Sequence, residues 1–182
     1  TAQAERLAKL HREAQNLRVK VVRADQIYNE FSSGTPDASA YRRYLKMLYD
    51  RAASTADAPR YLLLFGNCAY DNRMITSEWK KENPDNYLLA YERSSTENDS
   101  GTYGIGSLND FVTDDYYALL DDNEGANITY EKIDLGVGRF ICTTEEEAKQ
   151  LVDKTQRYLF NREPGAWQNR MWAIGDVGDN NL

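Results

Sequence analysis

Histidine and cysteine are scarce in this sequence, which has one histidine, His11, and two cysteines, Cys68 and Cys142, among its 182 residues. The cysteines lie far apart and form no C-x-x-C pair, so the sequence offers neither a dithiol redox motif nor a zinc knuckle. The spacing leaves a disulfide between them open. Because a cysteine nucleophile usually needs a histidine as its base, any complete dyad within this chain would have to use His11.

The single histidine is predicted to be structural, because it shares a helical stripe with Leu7 and Ala14. Cys68 follows an apolar run typical of a strand, which is a suitable place for a nucleophile, but most cysteines in cores act as small apolar residues. Cys142 precedes a predicted helix and would be reactive only if exposed. Both cysteines are therefore interpreted as structural, with catalysis as the lesser alternative.

An excess of positive charge and long apolar runs are also missing. The formal net charge is -7 and the sequence pI is about 4.8, whereas nucleic acids and anionic membranes attract basic surfaces. Lys80 and Lys81 are the only adjacent lysine pair, they lie among acidic residues, and no Lys/Arg cluster stands out. No run approaches the roughly 18 to 20 apolar residues of a membrane helix, and no signal pattern opens the chain. We expect no nucleic-acid partner and no membrane insertion by this segment.

Complete nucleotide-binding and hydrolase motifs are absent as well: there is no Walker A loop, no G-x-S-x-G nucleophile elbow and no H-E-x-x-H zinc motif. Gly136-Val137-Gly138 resembles part of a phosphate-binding fingerprint but lacks the third glycine. We predict instead that these glycines allow a strand to pack closely against a helix, and that Arg139 pairs with a nearby carboxylate.

Hydrophobic residues make up 41% of the chain, which is enough to fill a core, and their periodicity predicts an α/β fold. Residues 61–65 form a continuous apolar run, as expected for a parallel strand buried on both faces. Strands 19–22, 61–65 and 134–140 are predicted to share one parallel sheet flanked by helices. The predicted helices are 1–16, 25–31, 36–54 and 144–159, and further strands are predicted at 87–91 and 171–175.

Capping residues mark several predicted boundaries. Asp25 and Thr35 are expected to begin helices, with Pro36 at the first helical position of the second one. Thr144 and Glu147 have the spacing of a capping box. Residues 94–107 are rich in Ser, Thr, Asn, Asp and Gly and are expected to form an exposed loop.

Three groups of carboxylates are candidates for a site. Asp114 and Asp115 follow a predicted strand and could orient a catalytic histidine or shape a pocket. Asp176 and Asp179 follow another predicted strand, at the edge where parallel sheets bind ligands. Asp121, Asp122 and Glu124 carry oxygen ligands that calcium accepts, but they lack the spacing of an EF-hand, so an acidic turn is the favoured interpretation.

Several of these motifs, in this order, resemble the gingipain-like cysteine peptidases, family C25. The resemblance covers nearly the whole chain and is closest to the sortase of the type IX secretion system of Bacteroidetes. It is carried by residues 62–67 with Tyr70-Asp71, by residues 113–121, 134–140 and 145–158, and by the acidic run 176–181.

The resemblance implies a caspase-like α/β fold of two subdomains, here expected at 1–164 and 165–182 and incomplete at both ends. It also implies a His/Cys dyad that forms a thioester with protein or peptide substrates. In the family both dyad residues follow the segment matching 176–181, so they are expected downstream of Leu182. Only supporting carboxylates can be carried over, namely Asp114, Asp115, Asp176 and Asp179. No cofactor is required, although calcium is possible.

On this resemblance, the chain is expected to be the N-terminal part of a peptidase and inactive by itself. Its partners would be peptide substrates and the rest of its own catalytic domain, at an extracellular or outer-membrane location. A sortase would cleave C-terminal signals from secreted cargo and transfer the new carboxyl end to an amine. The alternatives are a secreted C25 endopeptidase and a catalytically dead α/β module used for binding or assembly.

Overall fold

Two short parallel strands lie at the centre of the computed structural model, which describes residues 2–93, 111–126, 128 and 130–173. Strand β1 (Tyr61–Phe65) pairs with β4 (Gly136–Phe140) in parallel, as predicted, from Tyr61 opposite Gly136 to Phe65 opposite Phe140. A second pair, β2 (Tyr91–Arg93) and β3 (Phe111–Thr113), is antiparallel. The helices are α1 (Ala2–Gln15), α2 (Ala24–Phe31), α3 (Ala38–Asp50) and α4 (Glu145–Leu159). Within the described ranges, three short 3₁₀ helices span Pro84–Asn86, Asp115–Ala118 and Ala166–Asn169.

Helices cover both faces of the central pair, which confirms an α/β fold with layers on each side of the sheet. On one face, Leu64 packs with Tyr41 and Leu45 of α3 and with the buried run at 116–120. On the other face, Phe65 and Phe140 contact a cluster between α1 and α4 made of Leu7, Leu10 and Val152. The strands therefore separate two hydrophobic cores.

The apolar sequence of β1 predicted burial on both faces along its whole length, and the structure shows that this is wrong. Leu64 is 5% exposed, but Tyr61 and Leu63 are 69% and 39% exposed. The cluster of α1 and α4 contacts the sheet at Phe65 and Phe140, at its carboxyl end. Periodicity could not show this, because a continuous apolar run contains no information about how far a helix layer extends.

The predicted strand at 19–22 is wrong. This segment belongs to no strand, and the carbonyl of Val19 accepts hydrogen bonds from the Arg12 side chain, at 3.2 Å from Nε. β-Branched residues favour strands only where a partner strand supplies the ladder, so the side-chain contact with α1 prevails here.

Two of the three predicted caps need correction. Asp37, and not Thr35, begins α3, since its carboxylate accepts from the backbone N–H of Ser39 at 2.8 Å. Helix α2 begins after Arg23, with Asp25 inside its first turn. The capping box before α4 is confirmed, because the Thr144 hydroxyl accepts from the N–H of Glu147 and the Glu147 carboxylate accepts from that of Thr144.

Two further strand predictions fail in part. Within 87–91, only Tyr91 belongs to a strand, while Tyr87 forms an isolated parallel bridge with Asn67. Residues 171–173 belong to no strand, and Met171 and Trp172 are 95% and 78% exposed. The last two residues of the strand predicted at 171–175, and the loop predicted at 94–107, lie outside the described residues. The division at 164 stays a prediction. Among the described helices, none is long and apolar enough to cross a membrane.

Candidate functional site

The carboxyl ends of β1 and β4 meet at one edge of the sheet, where open α/β sheets bind their ligands. The backbone hydrogen bonds of the strand pair continue past β1. The N–H of Gly66 donates to the carbonyl of Phe140 at 3.1 Å, and that of Asn67 donates to the carbonyl of Cys142 at 2.9 Å. We call residues 66–72, 87–92 and 113–117 the edge wall. These segments bond to one another beside the ends of both strands.

Arg139 of β4 forms a bidentate ion pair with Asp114 of the edge wall. Nε and Nη2 of Arg139 donate to the two carboxylate oxygens of Asp114 at 2.9 and 2.7 Å. The side chains are only 8% and 24% exposed. Burial opposes the charge of Arg139, but the hydrogen bonds and negative charge of Asp114 outweigh it, so the pKa of Arg139 is raised. The predicted carboxylate partner for Arg139 is thus confirmed.

Asp115, the neighbour of Asp114, has a different environment. It is exposed, and its backbone N–H donates to the hydroxyl of Thr113 at 3.1 Å as the 3₁₀ helix begins. Of the two adjacent carboxylates, the structure therefore pairs Asp114 with Arg139 and leaves Asp115 exposed. A supporting role for either of them in catalysis stays a prediction.

Two tyrosines after Asp115 fix this segment in the core. Tyr117 is fully buried, and its hydroxyl donates to the carbonyl of Leu89 at 2.9 Å. Tyr116 stacks on Tyr91, with 3.7 Å between the ring centroids, and donates to the hydroxyl of Ser39. Burial, followed by the charge of Asp114, raises the pKa of Tyr117. The tyrosines thus hold the chain next to Asp114 in place.

Asn72 is a residue of the edge wall that sequence reasoning missed. Its amide nitrogen donates to the carbonyl of Ala90 at 3.0 Å and to the Glu92 carboxylate at 2.9 Å, while its oxygen accepts from the N–H of Ala90. Burial raises the pKa of Glu92, and the charge of Asp71 adds to this. Only the number of polar residues after β1 hinted at such a crosslink in the sequence.

Asp71, which contributes to the family resemblance, acts as a local cap. Its carboxylate accepts from the N–H groups of Ile75 and Thr76, both at 2.7 Å, and from that of Arg73. These bonds lower the pKa of Asp71, with the bond from Thr76 contributing most. The carboxylate therefore orders the turn that leaves the edge wall.

The two cysteines and the histidine do not form a dyad. Both thiols are free, which answers the open question of a disulfide. Cys142 is buried, and burial followed by the charge of Glu147 raises its pKa, so it lacks thiolate character. Cys68 is half-buried in the edge wall, where its N–H donates to the Asn67 side chain. His11 bonds through Nδ1 to Gln15 on α1.

The acidic turn after residue 120 brings together a set of carboxylates different from the predicted one. Single oxygens of Asp121, Glu124 and Asp134 lie within 4.8 Å of one another. Asp122 is not part of this group, because it bonds to Lys46 at 2.9 Å, and this bond lowers its pKa. The Asp134 carboxylate also accepts from the N–H of Leu120. Calcium binding stays the lesser alternative to an acidic turn, and of its three candidate residues only Asp121 and Glu124 lie in this group.

The two glycines of the partial fingerprint lie inside strand β4 and not in a loop, so the likeness to a phosphate site was misleading. They do not face a helix either. A Cβ on Gly136 would come within 3.2 Å of the Tyr61 ring, whereas one on Gly138 would make an ordinary contact with Leu63 at 3.8 Å. Gly136 therefore serves a close approach between neighbouring strands. Asp176 and Asp179 lie outside the described residues.

A group of basic residues that the sequence did not reveal lines a shallow cleft of about 410 Å³ along α3. Arg42 and Arg43 are adjacent in sequence, and helical spacing brings Lys46 beside them. Arg43 forms an ion pair with Asp37. Lys46 forms ion pairs with both Asp50 and Asp122. Arg42 donates hydrogen bonds to the carbonyls of Leu119 and Glu124. Much of this positive charge is therefore already compensated within the molecule.

Comparisons with known proteins agree with this geometry. The model of peptidase family C25 matches residues 1–182. A solved structure, that of dimeric latent PorU from Porphyromonas gingivalis, is 42% identical with a TM-score of 0.74; the match covers 93% of this chain and 15% of that chain. Among curated proteins, none matches. Because the family model matches the whole chain, and a structure at this identity shares its caspase-like α/β fold, the chain belongs to peptidase family C25.

Proposed function

We propose that this chain is the N-terminal part of the catalytic domain of a cysteine peptidase, and that the whole protein is a sortase of the type IX secretion system. The observation that carries this proposal is the 42% identity to PorU over 93% of this chain. The chain corresponds to only 15% of that protein. The activity is therefore proposed for the whole protein, and this chain supplies the edge wall.

The nucleophile and base of the proposed peptidase are expected outside residues 1–182. Within the chain, His11 bonds to Gln15, and the Cys142 thiol is buried with a raised pKa. Neither is placed for the proton transfer that activates a thiol. Residues 1–182 alone are thus expected to be inactive, while the edge wall supports a site that another part of the protein completes.

The proposed reaction is acyl transfer through a thioester. The cysteine thiolate attacks the carbonyl carbon of the scissile peptide bond, and the departing amine takes a proton from the histidine. Water or an acceptor amine then attacks the thioester and releases the thiol. An amine that outcompetes water makes the enzyme a sortase; otherwise it is a peptidase.

The proposed substrates are secreted proteins that carry a C-terminal signal, and the proposed location is extracellular or on the outer-membrane surface. The similarity to a protein of this secretion system supports both. The net charge of -7 gives no support to a nucleic-acid partner.

The test uses the full-length protein, a cargo-derived peptide that ends in its C-terminal signal, and a small amine as acceptor. Mass spectrometry should find the peptide cleaved and its new carboxyl end joined to the amine, and a thiol alkylator should abolish both products. Residues 1–182 assayed alone are the control and should give neither product. Alkylator-sensitive turnover by this control would point to Cys68 and contradict the proposed division of the site.

Two rivals predict different products. A secreted C25 endopeptidase, which the family match supports equally well, would give hydrolysis with no amine adduct at any acceptor concentration. A catalytically dead binding module would give no turnover, and the residues after Leu182 would lack a His-Gly pair or a later cysteine.

A further inference from the structure

The guanidinium of Arg139 joins segments of the chain that are far apart in sequence. Besides its two bonds to Asp114, Nη1 donates to the carbonyl of Gly66 at 3.0 Å and Nη2 donates to the carbonyl of Leu89 at 3.3 Å. Gly66 follows β1, Leu89 precedes β2, and Asp114 follows β3. One side chain on β4 thus connects all three segments of the edge wall.

The burial of this contact makes it specific. Arg139 is 8% exposed, so its charge and its N–H groups depend on these oxygens and not on water. A carboxylate that binds a guanidinium through both oxygens fixes direction as well as distance, which a lysine cannot reproduce. If either partner is removed, the other is left as a buried charge with unmet hydrogen bonds.

Neutral contacts reinforce the same geometry. The carbonyl of Leu89 also accepts from Tyr117, and the N–H of Leu88 donates to the carbonyl of Asn67 at 2.8 Å. The segments after β1 and before β2 are therefore held side by side, and Arg139 lies where they meet Asp114. Without the ion pair, the neutral contacts alone would hold the three segments less tightly, while α1 and α4 make separate contacts on the other side of the sheet.

We propose that Arg139 and Asp114 are positioning residues, which hold the edge wall in the shape that binds the peptide substrate. The part concerning substrate rests on the proposed function, because the edge wall binds peptide only if the whole protein is a peptidase. Neither residue takes part in bond breaking. Their substitution therefore changes the affinity for peptide and leaves the acyl-transfer chemistry unchanged.

The chain contains a matched control for this pair. Arg23 also binds both carboxylate oxygens of Asp25, at 2.9 and 2.8 Å, but these side chains are 71% and 57% exposed and lie at the start of α2. Asp25→Asn thus removes the same chemical contact away from the edge wall. Because exposed pairs contribute little to stability, this variant should behave as the wild type.

The first experiment compares full-length wild type with Asp114→Asn, Arg139→Lys and Asp25→Asn. Active sites are counted with an irreversible thiol reagent, so that misfolded molecules do not enter the rates. Asp114→Asn and Arg139→Lys should raise KM about tenfold and leave kcat per active site within about twofold, the pattern of lost substrate binding. Asp114→Glu, which keeps the charge, should recover part of the loss. KM within about twofold of wild type, or a loss confined to kcat, would overturn the proposal.

A second measurement does not depend on activity. Amide hydrogen exchange of the same variants should accelerate together at residues 66–68, 88–91 and 114–117, and remain unchanged in α1 and α4. If single variants do not fold, the double variant Asp114→Asn with Arg139→Gln removes both charges and should show the same local acceleration. Unchanged exchange at these segments would overturn the positioning role. If the wild-type protein showed no thiol-sensitive turnover, the proposed function would be refuted instead. Amide hydrogen exchange would then still test whether Arg139 and Asp114 hold the edge wall in place.

Discussion

Single polar side chains, more than strand ladders, hold the edge of this sheet together. Strands β1 and β4 have only five residues each, so the segments that leave them have little regular structure nearby. Arg139 and Asn72 supply the missing links through hydrogen bonds to backbone carbonyls. Substitutions of such residues should therefore affect the molecule far more than substitutions of similar polar residues that bond to water.

Asn72→Ala should lower the free energy of unfolding by about 1 to 3 kcal/mol, because it leaves the N–H and the carbonyl of Ala90 without their side-chain partners. The measurement is urea unfolding followed by circular dichroism. Asn86→Ala is the control, since Asn86 is exposed and no hydrogen bond of its side chain contributes to the edge wall. Equal midpoints for the two variants would refute the crosslinking role of Asn72.

Gly66→Ala should be destabilising by about 1 to 3 kcal/mol, the usual cost of forcing extra volume into a packed region. Its Cβ would lie 3.1 Å from Cγ of Leu88, and the Gly66 backbone cannot move away because it is bonded to both Phe140 and Arg139. Gly138→Ala is the matched control, as its Cβ would make an ordinary contact at 3.8 Å. Thermal unfolding of both variants checks this, and a loss as large for Gly138→Ala would contradict it.

At the scale of elements, local signals determine the helices and distant contacts determine the strands. Helix α4 begins with a capping box in which each member contacts the backbone of the other. Such signals act within four residues, so they operate wherever the helix lies. A strand has no comparable local signal, because its stability depends on the segment next to it.

Thr144→Ala should lower the free energy of unfolding by about 0.5 to 2 kcal/mol, the usual contribution of an N-cap.

Glu147→Gln should lower the free energy of unfolding at neutral pH only. Backbone bonds from Thr143 and Thr144 lower the pKa of Glu147 below its ordinary value of 4.5, so its stabilising effect is present above that pH and is lost as the pH falls through the lowered pKa.

The measurement for this helix is the melting temperature of wild type and Glu147→Gln between pH 2 and 7. The two curves should converge at low pH, where the wild-type carboxylate is protonated. Glu145→Gln is the control, because Glu145 lies in the same first turn but outside the capping box. A difference that stays constant over this range would show that the charge of Glu147 is irrelevant.

The contrast between local signals and distant contacts also explains what could be predicted from the sequence. The capping box could be predicted because local spacing fixes it. The strands β1 and β4 and a carboxylate partner for Arg139 could be predicted from residue type, since short apolar runs favour strands and guanidinium groups pair with carboxylates. The identity of that partner could not, because Asp114 lies 25 residues away and reaches Arg139 only through the fold. Strand 19–22 failed for the corresponding reason: its composition suited a strand, but its carbonyl bonds to Arg12 of α1.

For the whole molecule, the central strands couple two cores. Tyr41 and Leu45 belong to the core on one face, and Leu7 and Val152 to the core on the other. Strand β1 contributes Leu64 to the first core and Phe65 to the second. Neither core can therefore lose its packing without disturbing the sheet that both share. The structure thus predicts a single cooperative unit.

Leu7→Ala and Leu45→Ala should each lower the free energy of unfolding by about 2 to 5 kcal/mol and shift one common transition. Both side chains are buried, at 3% and 5% exposure, whereas Met171 is 95% exposed, so Met171→Ala is the control. Urea unfolding followed separately by tyrosine fluorescence and by circular dichroism should give coincident curves. Two separated transitions in either variant would show that the cores unfold independently.

Three tyrosines that are buried or half-buried make the fold vulnerable to alkali. Burial raises the pKa of Tyr28, Tyr41 and Tyr117, so the folded chain resists ionising phenols that the unfolded chain ionises near pH 10. Each proton retained above that pH shifts the equilibrium toward the unfolded state. The aromatic packing that stabilises the neutral protein thus sets an upper pH limit on its folded state, and the tyrosinate absorbance of these residues should emerge only as the chain unfolds.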